Sequence, residues 1–230
     1  MRTIGLLGGM SWQSTVPYYQ TINRATGERL GSHHSAPIVL YSVDFQEIQL
    51  LQHAGRWTEA GDILAGAARA LERAGAEFLV LCTNTMHKVA SQIEEAVGVP
   101  LLHIADATAE PITAAGLKRV GLLATGFTMA QDFYSGRLRD RHGLEVLVPP
   151  DGQRETVHRI IYEELCHGKV LESSRSEYQR AVSDLVARGA EGVILGCTEI
   201  GLLLRPGDAA VPLFDSTEIH AEAAVRYALS

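Results

Sequence analysis

Short runs of branched apolar residues, each stopped by small or polar residues, recur along the whole chain. They are Ile4 to Leu7, IVLYSV from Ile38 up to Asp44, Phe78 to Leu81 or Cys82, Leu101 to Ile104, Val120 to Ala124, Glu145 to Val148, Gly192 to Leu195, and the LFD that begins at Leu213. A continuous apolar run of this length predicts a strand buried on both faces, as in a parallel sheet. Longer stretches with helical spacing lie between them. One starts after a cap at Ser11 or Ser14 and runs to Arg29, followed by Phe45 to Gln52 and Trp57 to Ala74. A helix capped by Thr83 or Thr85 runs to Val97, and others cover Thr128 to His142, Arg154 to Cys166, Ser173 to Arg188 and Glu218 to Leu229. Strand alternating with helix predicts a doubly wound α/β fold.

The pattern occurs twice. GAEFLVLCTNTM, from Gly75, aligns without a gap on GAEGVILGCTEI, from Gly189, so that Glu77 meets Glu191 and Thr83 meets Cys197. TIGLLGG from Thr3 is echoed by RVGLLATG from Arg119, and VPLLHIAD from Val99 by VPLFDST from Val211. Three matches in one order mark an internal repeat of half the chain. It predicts two similar doubly wound parallel-sheet domains: residues 1–98 completed by the C-terminal segment 210–230, and residues 99–209. Ligands bind beyond the carboxyl ends of parallel strands, so each domain is expected to offer one such strand end to a shared cleft.

Composition narrows the function. The 46% of hydrophobic residues is enough for a core, and a formal charge of −7 without a basic run argues against nucleic acid as a partner. No apolar stretch is long enough to span a membrane. The start, MRTIGLLGGMSW, reads as a first strand and not as a secretory signal. Three cysteines, Cys82, Cys166 and Cys197, with no CxxC pair fit a reducing cytoplasm.

The chemistry concentrates at the repeated strand ends. Cys197 follows a buried-type strand and precedes Thr198 and Glu199 at a predicted helix start, where the helix dipole is expected to lower its pKa below the free value of about 8.5. The competing reading is a core cysteine. In the first copy the repeat selects Thr83, whereas pairing of two thiols would select Cys82; strand alternation lets only one of them face the ligand. Thr83 is preferred, with Cys82 in the core. Cys166 reads as helix packing. Gly8-Gly9 lacks the third glycine of a dinucleotide fingerprint, and Asp44 closes the second strand without a clear ribose-binding role. His33-His34, His87 and His103 show no metal spacing and read as solvated or core side chains.

LCTNTMHK and LGCTEI, with the IGLLGGM start and the two-fold repeat, resemble the cofactor-independent aspartate/glutamate racemases. Typical members carry one cysteine at each equivalent strand end. Here Thr83-Asn84-Thr85 stands where their first motif reads Cys-Asn-Thr, which resembles the L-aspartate/glutamate-specific subgroup that pairs a threonine with a cysteine. The resemblance implies an isomerase that needs no metal or other cofactor and is dimeric like its relatives. It implies Cys197 and Thr83 as the catalytic pair, with Met10, Gln52, Asn84, Thr85, His167 and Thr198 as substrate contacts. Inverting Cα takes a base on one face and an acid on the other. A thiolate can remove the proton, while a threonine hydroxyl is too weak an acid to rest as a base, so one enantiomer should be used far better. Helix N-terminal N–H groups after Thr83 and Thr198 are expected to stabilise the carboxylate and its developing charge. Gln52 and His167 stand where the acidic-substrate racemases carry an arginine and a lysine, which leaves room for a looser specificity. A decarboxylase or a cis–trans isomerase of small diacids is the nearer alternative, and a non-catalytic two-lobed small-molecule binding protein the more distant one.

Overall fold

The computed structural model describes residues 1–205 and 207–230. The elements alternate as β1 (Ile4–Gly8), α1 (Trp12–Leu30), β2 (Ile38–Ser42), α2 (Phe45–His53), α3 (Trp57–Arg73), β3 (Phe78–Leu81), a 3-10 turn (Thr85–Val89), α4 (Ala90–Glu95) and β4 (Leu101–Leu102). The chain continues through α5 (Ile104–Ala114), β5 (Arg119–Ala124), α6 (Gly126–Ala130), α7 (Asp132–His142), β6 (Glu145–Leu147) and α8 (Asp151–Glu163). A second 3-10 turn (Leu165–His167) leads to α9 (Glu172–Ala187), β7 (Gly192–Gly196), α10 (Ile200–Leu203), β8 (Leu213–Asp215) and α11 (Ser216–Leu229). The described strands form two four-stranded sheets in the orders β2-β1-β3-β4 and β6-β5-β7-β8, and every pairing is parallel.

The chain folds as two compact units, Met1–Ile104 with His220–Ser230, and Ala105–Ile219. The boundaries expected at 98/99 and 209/210 therefore move. Leu101 and Leu102 pair with Leu79 and Val80, which places β4 in the first sheet, and Leu213 to Asp215 pair with Val193 to Leu195 in the second. A strand goes with the sheet that satisfies its backbone groups, whatever the repeat pattern implies about where a copy starts.

In the first unit apolar residues cover both faces of the sheet. Leu7, Leu79 and Leu81 pack with Ile48, Leu64 and Leu71 from α2 and α3, and with Met86. On the opposite face Ile4, Leu6, Phe78, Val80 and Cys82 pack with Tyr18 and Ile22 of α1 and with Ala221, Ala224, Val225 and Ala228 of α11. Each fully buried aliphatic side chain contributes about 1.5–3 kcal/mol. Alternation along β3 sends odd and even residues to different clusters. Gly5 is required by close approach, since a Cβ there would lie 2.7 Å from the Ala76 Cβ. Gly121, its match in the repeat, would meet Leu185 Cδ1 at 2.9 Å.

Local signals behave as their chemistry dictates. Ser11 caps α1 by accepting from the Ser14 N–H, and Asp44 caps α2 by accepting from the Gln46 N–H. The helix expected over Thr128 to His142 is instead two helices, because Gln131 between them is extended, with φ −112° and ψ 148°. Neither Thr83 nor Thr85 caps a helix: Asn84 holds that position without a side-chain cap bond, and the segment begins as a 3-10 turn.

Candidate active site

Beyond β3 the chain turns sharply. The Cys82 N–H donates to the Leu7 carbonyl at 2.9 Å and continues the ladder with β1. The Cys82 thiol lies fully buried among the apolar residues of the α1 and α11 face, and burial pushes its pKa up. Thr83, Asn84 and Thr85 follow, all buried at the strand end. Met86, one residue on, belongs to the opposite core cluster, as does Met10 from the loop after β1. Gln52, near the end of α2, is buried and donates to the Met86 sulfur at 3.0 Å. Within the first unit the fold thus gathers Gln52, Met86 and the 83–85 turn, with Met10 in the same apolar cluster as Met86.

His87 ties this turn down. Its Nδ1 lies 2.7 Å from the Thr83 carbonyl oxygen, and its Nε2 lies 3.2 Å from the Ile104 N–H that donates to it. The His103 ring meets it edge-on, with centroids 4.4 Å apart. His220 accepts from the Tyr18 hydroxyl at 2.9 Å and donates to the Leu102 carbonyl at 2.8 Å; burial lowers its pKa to about 4.

The equivalent strand end in the second unit carries different groups. β7 is buried throughout, and Cys197, the next residue, keeps some accessible surface. Its thiol donates to Glu199 Oε2 at 3.0 Å, and the Thr198 hydroxyl donates to the same oxygen at 2.6 Å. Glu199 is only 4% exposed. Cys166 approaches its other oxygen at a longer 3.9 Å. The Cys197 pKa is raised well above that of an ordinary thiol, first by burial, then by the Glu199 charge and Cys166. This overturns the expected lowering by a helix dipole. α10 is only four residues long, and a helix of about one turn has little dipole to set against burial beside a carboxylate. The same holds for the carboxylate-stabilising role expected of helix N–H groups after Thr83 and Thr198, since a 3-10 turn and a one-turn helix follow them. Cys166 is more than helix packing: it sits in a 3-10 turn against Glu199. His167, next to it, is exposed.

Sequence reasoning misses Glu199, although it stands only two residues after Cys197. The repeat sets Thr85 against it, so aligning the copies for differences as well as identities finds it. His87 reads in the sequence as a solvated or core histidine; the structure buries it, and neither reading finds its hydrogen bond to Thr83. Among the described residues no group of three His, Cys, Asp or Glu side chains could hold a metal ion, and no helix is long and apolar enough to cross a membrane.

Comparison with known proteins places this arrangement. Residues 7–224 match the model of the Asp/Glu/Hydantoin racemase family. A crystal structure of a candidate Asp/Glu racemase from Yersinia pestis is 56% identical, with a TM-score of 0.94 and 100% of both chains covered. An aspartate racemase homologue from Pyrococcus horikoshii is 38% identical, with a TM-score of 0.87 and again 100% of both chains. The broad specificity amino-acid racemase RacX of Bacillus subtilis (strain 168) is 26% identical over 235 residues, 96% of each chain. With two repeated parallel sheets and this coverage, the chain belongs to the Asp/Glu/Hydantoin racemase family and is an isomerase of the amino-acid racemase kind.

Proposed function

We propose that this protein inverts the α-carbon of L-aspartate and L-glutamate without a metal or other cofactor, with Cys197 as the base towards the L-enantiomer and Thr83 as the acid that returns a proton. The observation that carries this reading is the thiol of Cys197 held 3.0 Å from a buried carboxylate, Glu199, at a strand end. A thiol whose pKa is pushed up is a poor source of thiolate by itself. A carboxylate in hydrogen-bond contact supplies the missing acceptor: the Sγ–H bond breaks, an Oε2–H bond forms on Glu199, and the sulfur gains the lone pair that attacks the α-proton. The carbanion then takes its proton from the Thr83 hydroxyl, which is restored from water.

A second reading, a broad-specificity racemase, is favoured by particular residues. Gln52 is a neutral amide committed to Met86, and His167 is exposed, where the acidic-substrate racemases hold two fixed cations. The RacX relative is itself described as broad in specificity. One experiment separates the readings. Each proteinogenic L-amino acid is incubated with the protein in heavy water, loss of the α-proton signal is followed by NMR, and the products are resolved by chiral chromatography. Turnover confined to aspartate and glutamate supports the first reading, and comparable turnover of neutral or basic amino acids supports the second. Exchange and inversion with none of them would remove racemisation from consideration.

A further inference from the structure

We infer that His87 is a positioning residue that sets the orientation of Thr83 through the threonine's own backbone. The inference rests on the proposed role of Thr83 and starts from the two atoms that His87 bridges. The Ile104 N–H can only donate, so the Nε2 that faces it at 3.2 Å must accept and carries no proton. The single ring proton then sits on Nδ1 and donates to the Thr83 carbonyl at 2.7 Å. His87 is thereby fixed as one neutral tautomer. Protonating it would set an N–H against the Ile104 N–H inside a site where the residue is only 3% exposed.

The consequence for Thr83 is geometric. Thr83 lies past the end of β3, where the sheet ladder no longer holds it; its own N–H is taken up by the near Leu81 carbonyl at 2.8 Å. Its carbonyl is fastened by a ring four residues ahead, and that ring is pinned in turn by Ile104 at the start of α5 and by the edge of His103. A side chain leaves a Cα whose peptide planes are set by such bonds, so fixing the carbonyl fixes the Cα–Cβ direction from which the hydroxyl is presented, and with it the positions that its rotamers can reach. Misplacing a catalytic group by about 1 Å costs about 10²-fold in rate. His87 never touches the substrate in this scheme; it acts on the second half of the reaction through Thr83.

That division gives a readout which general loss of structure cannot imitate. Cys197 alone can exchange the α-proton of an L-substrate with heavy water, whereas inversion also requires Thr83. The ratio of inversion to exchange, taken in one sample, is independent of how much protein is folded. His87→Asn keeps a donor near the Nδ1 position and should hold the ratio within about threefold of wild type. His87→Gln places its amide near the Nε2 position, leaves the Thr83 carbonyl without its donor, and should lower the ratio by about ten- to a hundredfold. In parallel, ¹⁵N NMR of the imidazole should report the Nδ1–H tautomer, unchanged from about pH 6 to 8.

An unchanged ratio in His87→Gln, a lower ratio in His87→Asn than in His87→Gln, or an Nε2–H tautomer would each overturn the role. If the wild type exchanges without inverting any amino acid, Thr83 is not the acid and the inference falls with it. That failure is told apart from the others because it is seen before any variant is made.

Discussion

The two strand ends are built on one plan and equipped differently. β3 and β7 occupy the same place in sheets of equivalent order, each flanked by two parallel neighbours. In the register that sets Thr83 on Cys197, Thr85 stands opposite Glu199 and His87 opposite Gly201. The carboxylate that faces the cysteine in one unit is a neutral hydroxyl in the other. The imidazole that holds the threonine's backbone is replaced by a glycine, where an added Cβ would lie 2.5 Å from Asp215 Oδ2. His103, which touches His87, has Asp215 as its own counterpart, and burial raises that carboxyl's pKa to about 6. The sheet fixes where a reacting group sits, while the few residues after the strand decide what that group can do. In the proposed mechanism one end creates a base and the other holds a weak acid still.

The comparison can be broken most severely at the sulfur. Cys197→Ser should reduce inversion of L-substrate by about 10²–10⁴-fold, because a serine hydroxyl beside Glu199 cannot supply the base that a thiolate does. Far-ultraviolet circular dichroism should be unchanged; retention of most activity would remove Cys197 from the mechanism. Next in size is Thr83→Ala, for which inversion should fall about 10²-fold while exchange of the L-substrate's α-proton continues. Thr83→Cys should give both ends a thiol and raise the initial rate from the D-enantiomer about tenfold over wild type, as chiral chromatography of early time points would record.

Glu199→Gln sharpens the contrast through pH. In the proposed step the thiol hands its proton directly to the adjacent Glu199 and not to solvent, so kcat/KM should be nearly flat from about pH 6 to 8. Without the carboxylate the thiol must lose its proton to water, and burial still holds its pKa above the ordinary value. Below that pKa the thiolate fraction rises about tenfold per pH unit. The variant should therefore be about tenfold slower at neutral pH and gain activity as pH rises; a flat profile in the variant would exclude Glu199 as the acceptor. The smallest effect is expected at Cys82→Ala. It should leave activity within about twofold and cost about 1 kcal/mol in urea denaturation, since it removes one buried sulfur from a packed cluster. Loss of activity with stability intact would make Cys82, and not Thr83, the second group.

Much of the fold is legible in the amino-acid order alone. Apolar runs bounded by small polar residues locate the strands, because burial on both faces leaves little choice of side chain. The repeat implies the two-sheet architecture for the same reason, through pairs such as Gly5 and Gly121. The limits of that reading are equally physical. Periodicity cannot say with which sheet a two-residue strand pairs, so a boundary drawn from the repeat puts β4 in the other half. It cannot say how long a helix after a strand end will be, so it promises Cys197 a dipole that a one-turn helix does not supply. Nor can it reveal a partner two residues away whose importance depends on burial. Glu199 reads as an ordinary helix-start acid until its burial and its contact with the sulfur are known.

α11 carries a consequence for how the molecule is made. Ala221, Ala224, Val225 and Ala228 complete one face of the first sheet, and the Arg2 N–H donates to the Ala228 carbonyl at 2.8 Å. During synthesis from the N-terminus, the first sheet's strands all emerge before the helix that covers that face, while β5 to β8 emerge in between. The second unit can thus close while the first still presents Phe78, Val80 and Tyr18 to solvent, a state that favours association with other chains. A chain cut before residue 220 would carry every residue of the second unit and lack the segment that completes the first. The unit that begins the chain is the last to be sealed.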